Sequence, residues 1–442
     1  MINEAFFASK KNILVIGYGT TGKSVYSFLR GNGHSVLVYD DFKGNVPGNL
    51  NLNRMPAVDL VIKSPSVPCM PHNIHPLIKK LCAAKIPVIS AFDVFILHNP
   101  DAQIIGVTGT NGKSTTAALA HHIMKDNGTD VQLGGNIGIP YFDLPKAKLY
   151  IFEMSSYELA SSRYLKFEIG CILNIEPDHL TFHGDFGNYV AAKHRLLENA
   201  KIKIISLEDS LTTERFGFKK EVIKVSTKNS PQADVCVFER AMIGHARAPI
   251  LDLADVSALI GQHNYQNIEF AYSICRQCGV PDHLIVRSIR SFKPLPHRLN
   301  VVKKVGNVLF VNDSKATNPE SAAKALATFV GFKIFWLVGG RSKNVNVMNS
   351  VGEYLTSVQK IYLFGESAEE FTQVFDEIKS TVNCKTMLSA IHLAYKDAMA
   401  EAGSVVILLS PMCSSFDQFN NFEHRGDEFV KAVEEISSID SI

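Results

Sequence analysis

Short apolar runs rich in β-branched residues recur along the chain. Each ends in glycine or polar turn residues and is followed by a segment of helical period. Ile104, Ile105 and Val107 form one such run; beyond its turn, Leu119 and Ile123 stand four apart with Ala120 and Met124 beside them, and Asn127-Gly128 supplies a stop signal. Asn12–Ile16 forms another, leading through a glycine turn to a helix ending near Gly31 and a strand at Ser35–Tyr39. The alternation continues with strands at 59–63 and 87–90 around a helix at 76–84. Strands at 149–152 and 170–175 follow, with a helix at 189–201. Pro294-Leu295-Pro296 cannot continue a helix, and beyond it strands are predicted at 309–311, 334–338 and 405–409, with a helix near 320–329. Buried strand runs alternating with helices predict an α/β fold built on mainly parallel sheets. No short-period repeat or low-complexity tract interrupts the pattern.

At 442 residues the chain is long enough for two or three domains. Asn99-Pro100-Asp101 and the proline pair at 294–296 are the natural breaks, giving segments 1–98, 99–296 and 297–442. With 46% hydrophobic and 20% charged residues, large cores can be buried. A net charge of +2 without basic blocks gives no support to a nucleic-acid or membrane-surface role. No apolar run approaches the roughly 18 residues of a membrane span, and the first apolar run is too short for a signal peptide. The eight cysteines are scattered, and their lone C-x-x-C, Cys275 and Cys278, lies in an apolar helical pattern and reads as core or surface. A reducing cytoplasm is the expected setting.

Candidate chemistry concentrates at the turns. Thr108-Gly109-Thr110-Asn111-Gly112-Lys113-Ser114-Thr115 joins a strand to a helix. Such a turn aims backbone N–H groups at one spot on the positive end of the helix, which binds phosphate. The usual phosphate-loop pattern wants a glycine where Val107 stands; Gly106 is one place off. Lys113 and Ser114 nevertheless fall where phosphate and Mg²⁺ need them. Gly17-Tyr18-Gly19-Thr20-Thr21-Gly22, with Asp40 about twenty residues on, is a dinucleotide-type fingerprint. It suits a pyrophosphate beside a ribose, whether of NAD or of a UDP-linked substrate. Glu153 ends the strand at 149–152, where an acid beside the phosphate-loop strand is well placed to hold Mg²⁺ or, alternatively, simply faces solvent. Glu176-Pro177-Asp178-His179 reaches the same sheet edge, and His179 is either a ligand or an ordinary loop histidine. Lys193, one turn into a helix, reads by position as a solvated face residue. Asn264 and Asn267 share a helix face, for a ligand or for capping.

The assembled motifs resemble those of the Mur ligases, the ATP-dependent amide-forming enzymes of peptidoglycan precursor synthesis. The resemblance runs nearly the whole length. It includes Gly-Gly-Asn-Ile-Gly at 134–138, Glu-Met-Ser-Ser-Tyr at 153–157, Asp-His-Leu at 178–180, Tyr-x-x-Ala-Lys ending at Lys193, and His-Asn-x-x-Asn at 263–267. It continues through Pro-His-Arg at 296–298, Asn-Asp-Ser-Lys-Ala-Thr-Asn at 312–318 and Leu-Ser-Pro-x-x-x-Ser-Phe-Asp-Gln-Phe at 409–419. The last is the most specific, and points to the D-glutamate-adding branch. The Asp-Asn-Pro-Arg and Thr-His-Gly-Lys signatures of sibling ligases are absent.

The resemblance implies three domains: a Rossmann-like domain for the UDP substrate, a central P-loop-type ATPase domain and a C-terminal Rossmann-like domain for the incoming amino acid. It assigns ATP to Gly109, Thr110, Asn111, Gly112, Lys113, Ser114 and Thr115, with Asn264, Asn267, Arg298, Asp313 and Lys315. It assigns two Mg²⁺ ions to Ser114, Glu153 and His179, and to Lys193 once carbamylated, reversing the bland reading of that lysine. Lys113, Glu153, His179 and Lys193 would be catalytic. UDP-N-acetylmuramoyl-L-alanine would lie on Gly17, Gly19, Thr20, Asn136 and Ser155, and D-glutamate on Thr317, Lys343, Ser415 and Phe422. The implied reaction makes an acyl phosphate that the amine of D-glutamate attacks, in a cytoplasmic monomer, with the third domain closing over the second to exclude water. The chain departs from the family pattern at Asn300, Thr181, Ser66, Asn346, Asp41 and Phe42, which touches the uracil contacts and none of the phosphate, magnesium or D-glutamate residues. Rival readings are a sibling amino acid ligase, a dehydrogenase built on the first glycine loop, and a binding module with a degenerate ATP site.

Overall fold

The computed structural model describes residues 2, 4–42, 46–47, 57–136, 138–244, 247–256, 259, 261, 263–342 and 347–439. Three α/β sheets follow one another along the chain, and two compact units hold them: residues 1–256 with 265–292, and residues 257–264 with 293–442.

In the first unit, strands β1 (Asn12–Ile16), β2 (Ser35–Tyr39) and β3 (Leu60–Lys63) precede a small hairpin, β4 (Cys69–Met70) and β5 (Asn73–Ile74), and then β6 (Val88–Ser90). β1, β2, β3 and β6 form a wholly parallel sheet in the order β2-β1-β3-β6. The larger sheet comprises β7 (Gln103–Thr108), β8 (Val131–Gly135), β9 (Leu149–Glu153), β10 (Phe167–Ile172), β11 (Ala200–Ser206), β12 (Val222–Ser226), β13 (Val235–Phe238), β14 (Ala241–Ile243) and β15 (Pro249–Asp252). Its order is β15-β14-β13-β12-β11-β10-β7-β9-β8, parallel except for the final meander β13-β14-β15. β7 therefore lies between β9 on one side and β10 on the other, so the winding reverses at its C-terminal end. That reversal opens the crevice where doubly wound sheets bind ligands.

The two sheets share a core. The helix Ala91–His98 starts at a capping box in which Ser90 and Asp93 satisfy each other's backbone N–H, an arrangement worth about 1 kcal/mol. It drives Phe92 against Phe167 and Phe95 against Phe152 of the larger sheet. Asp93 also accepts N–H bonds from Arg163 and Tyr164, both at 2.8 Å.

In the second unit, β16 (Asn300–Val305), β17 (Val308–Asn312), β18 (Lys333–Gly339), β19 (Val358–Phe364), β20 (Thr381–Lys385) and β21 (Val405–Met412) pair in the order β16-β17-β21-β18-β19-β20. Only β16 runs antiparallel to its neighbour. Trp336 is fully buried, and its indole N–H donates to the Ser410 carbonyl at 2.9 Å, tying two central strands together through their side chains.

Most elements lie where the pattern puts them, with two shifts. The strand expected at 170–175 is Phe167–Ile172, and the helix expected at 189–201 is Phe186–Glu198. Asp185 caps that helix by accepting the Asn188 N–H, and this polar signal precedes the apolar face that periodicity follows. Among the described residues no helix is long and apolar enough to cross a membrane.

Candidate active site

The phosphate loop leaves β7 and enters the helix Lys113–Asp126 at Gly112. Gly112 has φ +86°, and a Cβ there would lie 2.3 Å from the Asn267 Oδ1, so only glycine fits. Gly106, the glycine that looked displaced, has another task. A Cβ on it would come within 2.8 Å of the Phe167 ring and 2.9 Å of Leu196, so it is a packing glycine inside the strand.

The segment beyond β10 holds the loop from the side. The Asn174 carbonyl accepts the Thr110 N–H at 2.9 Å, and its side-chain oxygen accepts the Asn111 N–H at 2.9 Å. Thr110 Oγ1 lies 3.0 Å from the Tyr189 hydroxyl, and Asn111 donates to Glu176 at 3.0 Å. Lys113 Nζ donates to the carbonyls of Gly109 (2.9 Å) and Thr110 (2.8 Å). Ser114 and Thr115 are buried at the start of the helix.

Glu153, at the end of neighbouring β9, is 2% exposed. It accepts from Ser114 Oγ at 2.6 Å and from the Asn136 amide at 3.0 Å. Gly135 wraps close enough that a Cβ would lie 2.5 Å from the Glu153 carbonyl. Ile137 of this loop lies outside the described residues. Lys193 is fully buried, which corrects the positional reading of a solvated lysine. Its Nζ donates to the Gly109 carbonyl at 2.7 Å and lies 4.8 Å from the Tyr189 ring. Burial, and then the charge of Lys113, hold its pKa well below the ordinary lysine value, which favours a neutral, nucleophilic amine. His179 adopts φ +55° and is held by the Tyr157 hydroxyl at 2.9 Å and by Asp178 at 3.5 Å. Among the described residues no three His, Cys, Asp or Glu side chains converge as a ready-made metal cluster.

Of the paired asparagines, Asn267 accepts from Thr116 Oγ1 at 3.2 Å and so reaches the phosphate-loop helix. Asn264 is buried in the first turn of the helix His263–Gln277; Gln262 before it lies outside the described residues. Ser155 caps the helix Ser156–Ser161 by accepting the Glu158 N–H.

The first glycine loop is built for close approach. Gly17 has φ +90°, and a Cβ on Gly22 would lie 2.0 Å from the Gly17 carbonyl. Gly19 caps the helix that begins at Thr20. Asp40 holds the loop by accepting the Tyr18 N–H at 2.6 Å. Of the departures nearby, Asp41 pairs with His75 at 3.0 Å and accepts from Tyr39, while Phe42 is exposed.

In the second unit, Asp313 sits beyond β17, where it accepts from Leu299 N–H (3.2 Å) and Ser410 Oγ (2.9 Å). Burial raises its pKa to about 7. The Arg298 N–H donates to Asn300 Oδ1 at 3.1 Å, so the neutral side chain there supplies the acceptor an acid would. His297 and Leu299 both have positive φ, the backbone strain characteristic of functional segments. Lys315 Nζ lies 3.8 Å over the Phe422 ring, Thr317 is half-buried and Ser415 buried. Lys343 and Asn346 lie outside the described residues. Residue types and spacing did not single out Asn174 or Arg425. The one signal for Asn174 was an amide just past an apolar strand run.

Comparison with known proteins agrees with this geometry. Residues 107–275 match the Mur ligase middle domain, and residues 297–411 the glutamate ligase domain of Mur ligases. The UDP-N-acetylmuramoylalanine–D-glutamate ligase of Wolbachia pipientis wMel is 32% identical, covering 96% of this chain and 97% of its own. That of Agrobacterium fabrum is 36% identical, covering 98% and 97%. The UDP-N-acetylmuramate-alanine ligase MurC of Thermotoga maritima superposes with a TM-score of 0.62 at 16% identity, over 96% of this chain and 99% of that one. MurF of the same organism, solved with ADP, gives 0.59 at 18% identity, over 96% of each chain.

Fold, phosphate loop and relatives together define an ATP-dependent, amide-bond-forming ligase. The chain belongs to the Mur ligase family, and within it to the UDP-N-acetylmuramoylalanine–D-glutamate ligases.

Proposed function

We propose that the chain joins D-glutamate to UDP-N-acetylmuramoyl-L-alanine with conversion of ATP to ADP and phosphate, in peptidoglycan precursor synthesis. The observation that carries this reading is the Ser114–Glu153 pair beside Lys113, at the ends of adjacent strands, in a chain that aligns end to end with ligases of that name. Residues 1–98 would take the UDP substrate, 99–296 ATP, and 297–442 the amino acid.

In this mechanism the loop N–H groups and Lys113 grip the ATP phosphates. The substrate carboxylate attacks the γ-phosphate, ADP leaves and an acyl phosphate forms, while Lys113 offsets charge on the transferring group. The D-glutamate amine then attacks the acyl carbon, and phosphate leaves. The buried Glu153 carboxylate and the Ser114 hydroxyl form a hard-oxygen donor pair that would suit Mg²⁺. Bound there, the ion would neutralise phosphate charge. His179 would assist, and Lys193, its neutral amine having added CO₂ with loss of a proton to give a carbamate, would hold a second ion. Gly17, Gly19 and Thr20 would contact the diphosphate, with Asn136 and Ser155 toward the sugar. Asn264, Asn267, Arg298, Asp313 and Lys315 would hold the nucleotide, and Thr317, Lys343, Ser415 and Phe422 D-glutamate. The enzyme would act as a cytoplasmic monomer.

The test is phosphate release with ATP, Mg²⁺ and UDP-N-acetylmuramoyl-L-alanine, on adding each candidate amino acid. Release with D-glutamate is expected. Background release with D-glutamate, alongside turnover of a diamino acid or of L-alanine, would reassign the chain to a sibling activity.

A further inference from the structure

Arg425 has no part in the reaction as set out above, yet it is fully buried near the start of the helix Phe422–Ile439. Its Nε donates to Ser314 Oγ at 3.0 Å and its Nη2 to the Ser314 carbonyl at 2.8 Å. Its Nη1 donates to the carbonyls of Cys413 (3.1 Å) and Gly339 (3.4 Å). These acceptors lie just past β17, just past β21 and at the end of β18, three consecutive strands in the sheet. A planar guanidinium presents its donors in a fixed fork, so one side chain sets the mutual position of three strand ends.

The loops leaving those ends carry the residues assigned to the amino acid. Thr317 follows β17, and Ser415 and Phe422 follow β21; the loop that leaves β18 begins at Gly340 and Arg341. Ser314 extends the strap, since its hydroxyl also donates to the Phe422 carbonyl at 2.8 Å. Gly340 keeps room for it: a Cβ there would lie 2.2 Å from the Ser414 carbonyl and 3.2 Å from Arg425 Nη1. All four acceptors of the guanidinium are neutral, and Asp313 and Asp417 act on it only at longer range. Dipoles solvate the charge without cancelling it, so the guanidinium adds a positive contribution at the strand ends, against the carboxylates of Asp313 and Asp417.

We propose that Arg425 is the positioning residue of the amino-acid pocket, holding its three loops in register and giving it a positive field that selects an acidic amino acid. The proposal rests on the D-glutamate ligase reading above. Steady-state kinetics on the full chain would compare the wild type with Arg425→Lys, Arg425→Met and Ser314→Ala, using D-glutamine as a neutral competitor. Arg425→Lys keeps charge and loses the fork, so the KM for D-glutamate should rise about 10- to 100-fold, with the other two KM values within about twofold. Arg425→Met should, in addition, weaken D-glutamate more than D-glutamine. Should Arg425→Met fail to fold, Ser314→Ala, which removes the hydroxyl's bonds to Arg425 and to the Phe422 carbonyl, should still raise the D-glutamate KM alone. An unchanged D-glutamate KM in folded Arg425→Lys and Ser314→Ala would overturn the proposal, as would an equal rise in all three KM values. A wild type that binds ATP but never turns over D-glutamate would overturn the ligase reading and this proposal with it.

Discussion

Lys113 and Lys193 donate to the same acceptor, the carbonyl oxygen of Gly109, at 2.9 and 2.7 Å. Two ammonium groups sharing one carbonyl in a buried site repel, and Lys193, the more deeply buried, yields its proton more readily. Replacing Lys113 by Ala removes that repulsion and, under the proposed mechanism, the contact to the ATP phosphates. Turnover should fall by about 100-fold or more, in line with loss of one preorganised charge at a developing anion. Retained phosphate release in the variant would remove Lys113 from the transfer step.

Glu153 is expected to govern the metal requirement. Glu153→Gln preserves the shape while deleting the charge and replacing one of the two acceptor oxygens that Ser114 and Asn136 use with an N–H donor. A Mg²⁺ titration of turnover should then need a clearly higher half-saturating concentration. An unchanged titration would place the ion elsewhere.

Two glycines separate loop chemistry from strand packing. Gly112→Ala forces a side chain onto Asn267 and should lower ATP affinity by about 100-fold, read by calorimetric titration. Gly106→Ala presses on Phe167 and Leu196 instead and should cost about 1–3 kcal/mol of stability in urea unfolding. Equal ATP affinity in Gly112→Ala and wild type would contradict the first expectation.

Glu158 sets a pH signature away from the reacting atoms. It is buried and accepts from Tyr141 at 2.6 Å, and burial raises its pKa from 4.5 to about 7. A raised folded-state pKa gives stability that is complete below the unfolded value and lost as pH rises through the folded one. Denaturation midpoints of the wild type should therefore fall between about pH 4.5 and pH 7. Glu158→Gln should flatten that slope, and parallel slopes would refute the assignment.

Much of this was legible in the residues themselves. β1 and β2 fall on their predicted bounds because both are short β-branched runs closed by glycine or acid. The phosphate loop was readable because a strand, glycines, lysine and hydroxyl are contiguous. Lys193 was not, since helical position alone cannot say that a lysine is buried beneath a loop more than eighty residues earlier. Asn174 and Arg425 were silent for the same reason. Most of their partners are backbone carbonyls and N–H groups, which leave no mark in residue type. Gly106 misled in the opposite direction: its neighbours Phe167 and Leu196 come from distant segments, so its purpose shows only in three dimensions.

β7 carries the phosphate loop, yet both strands that flank it are made later, β9 at 149–153 and β10 at 167–172. The loop's side support, from Asn174 to Glu176, comes later still. A growing chain therefore carries a complete loop sequence for more than sixty residues before it can hold that loop in shape. The contacts that shape the loop thus become available only when the middle of the protein has been synthesised and paired.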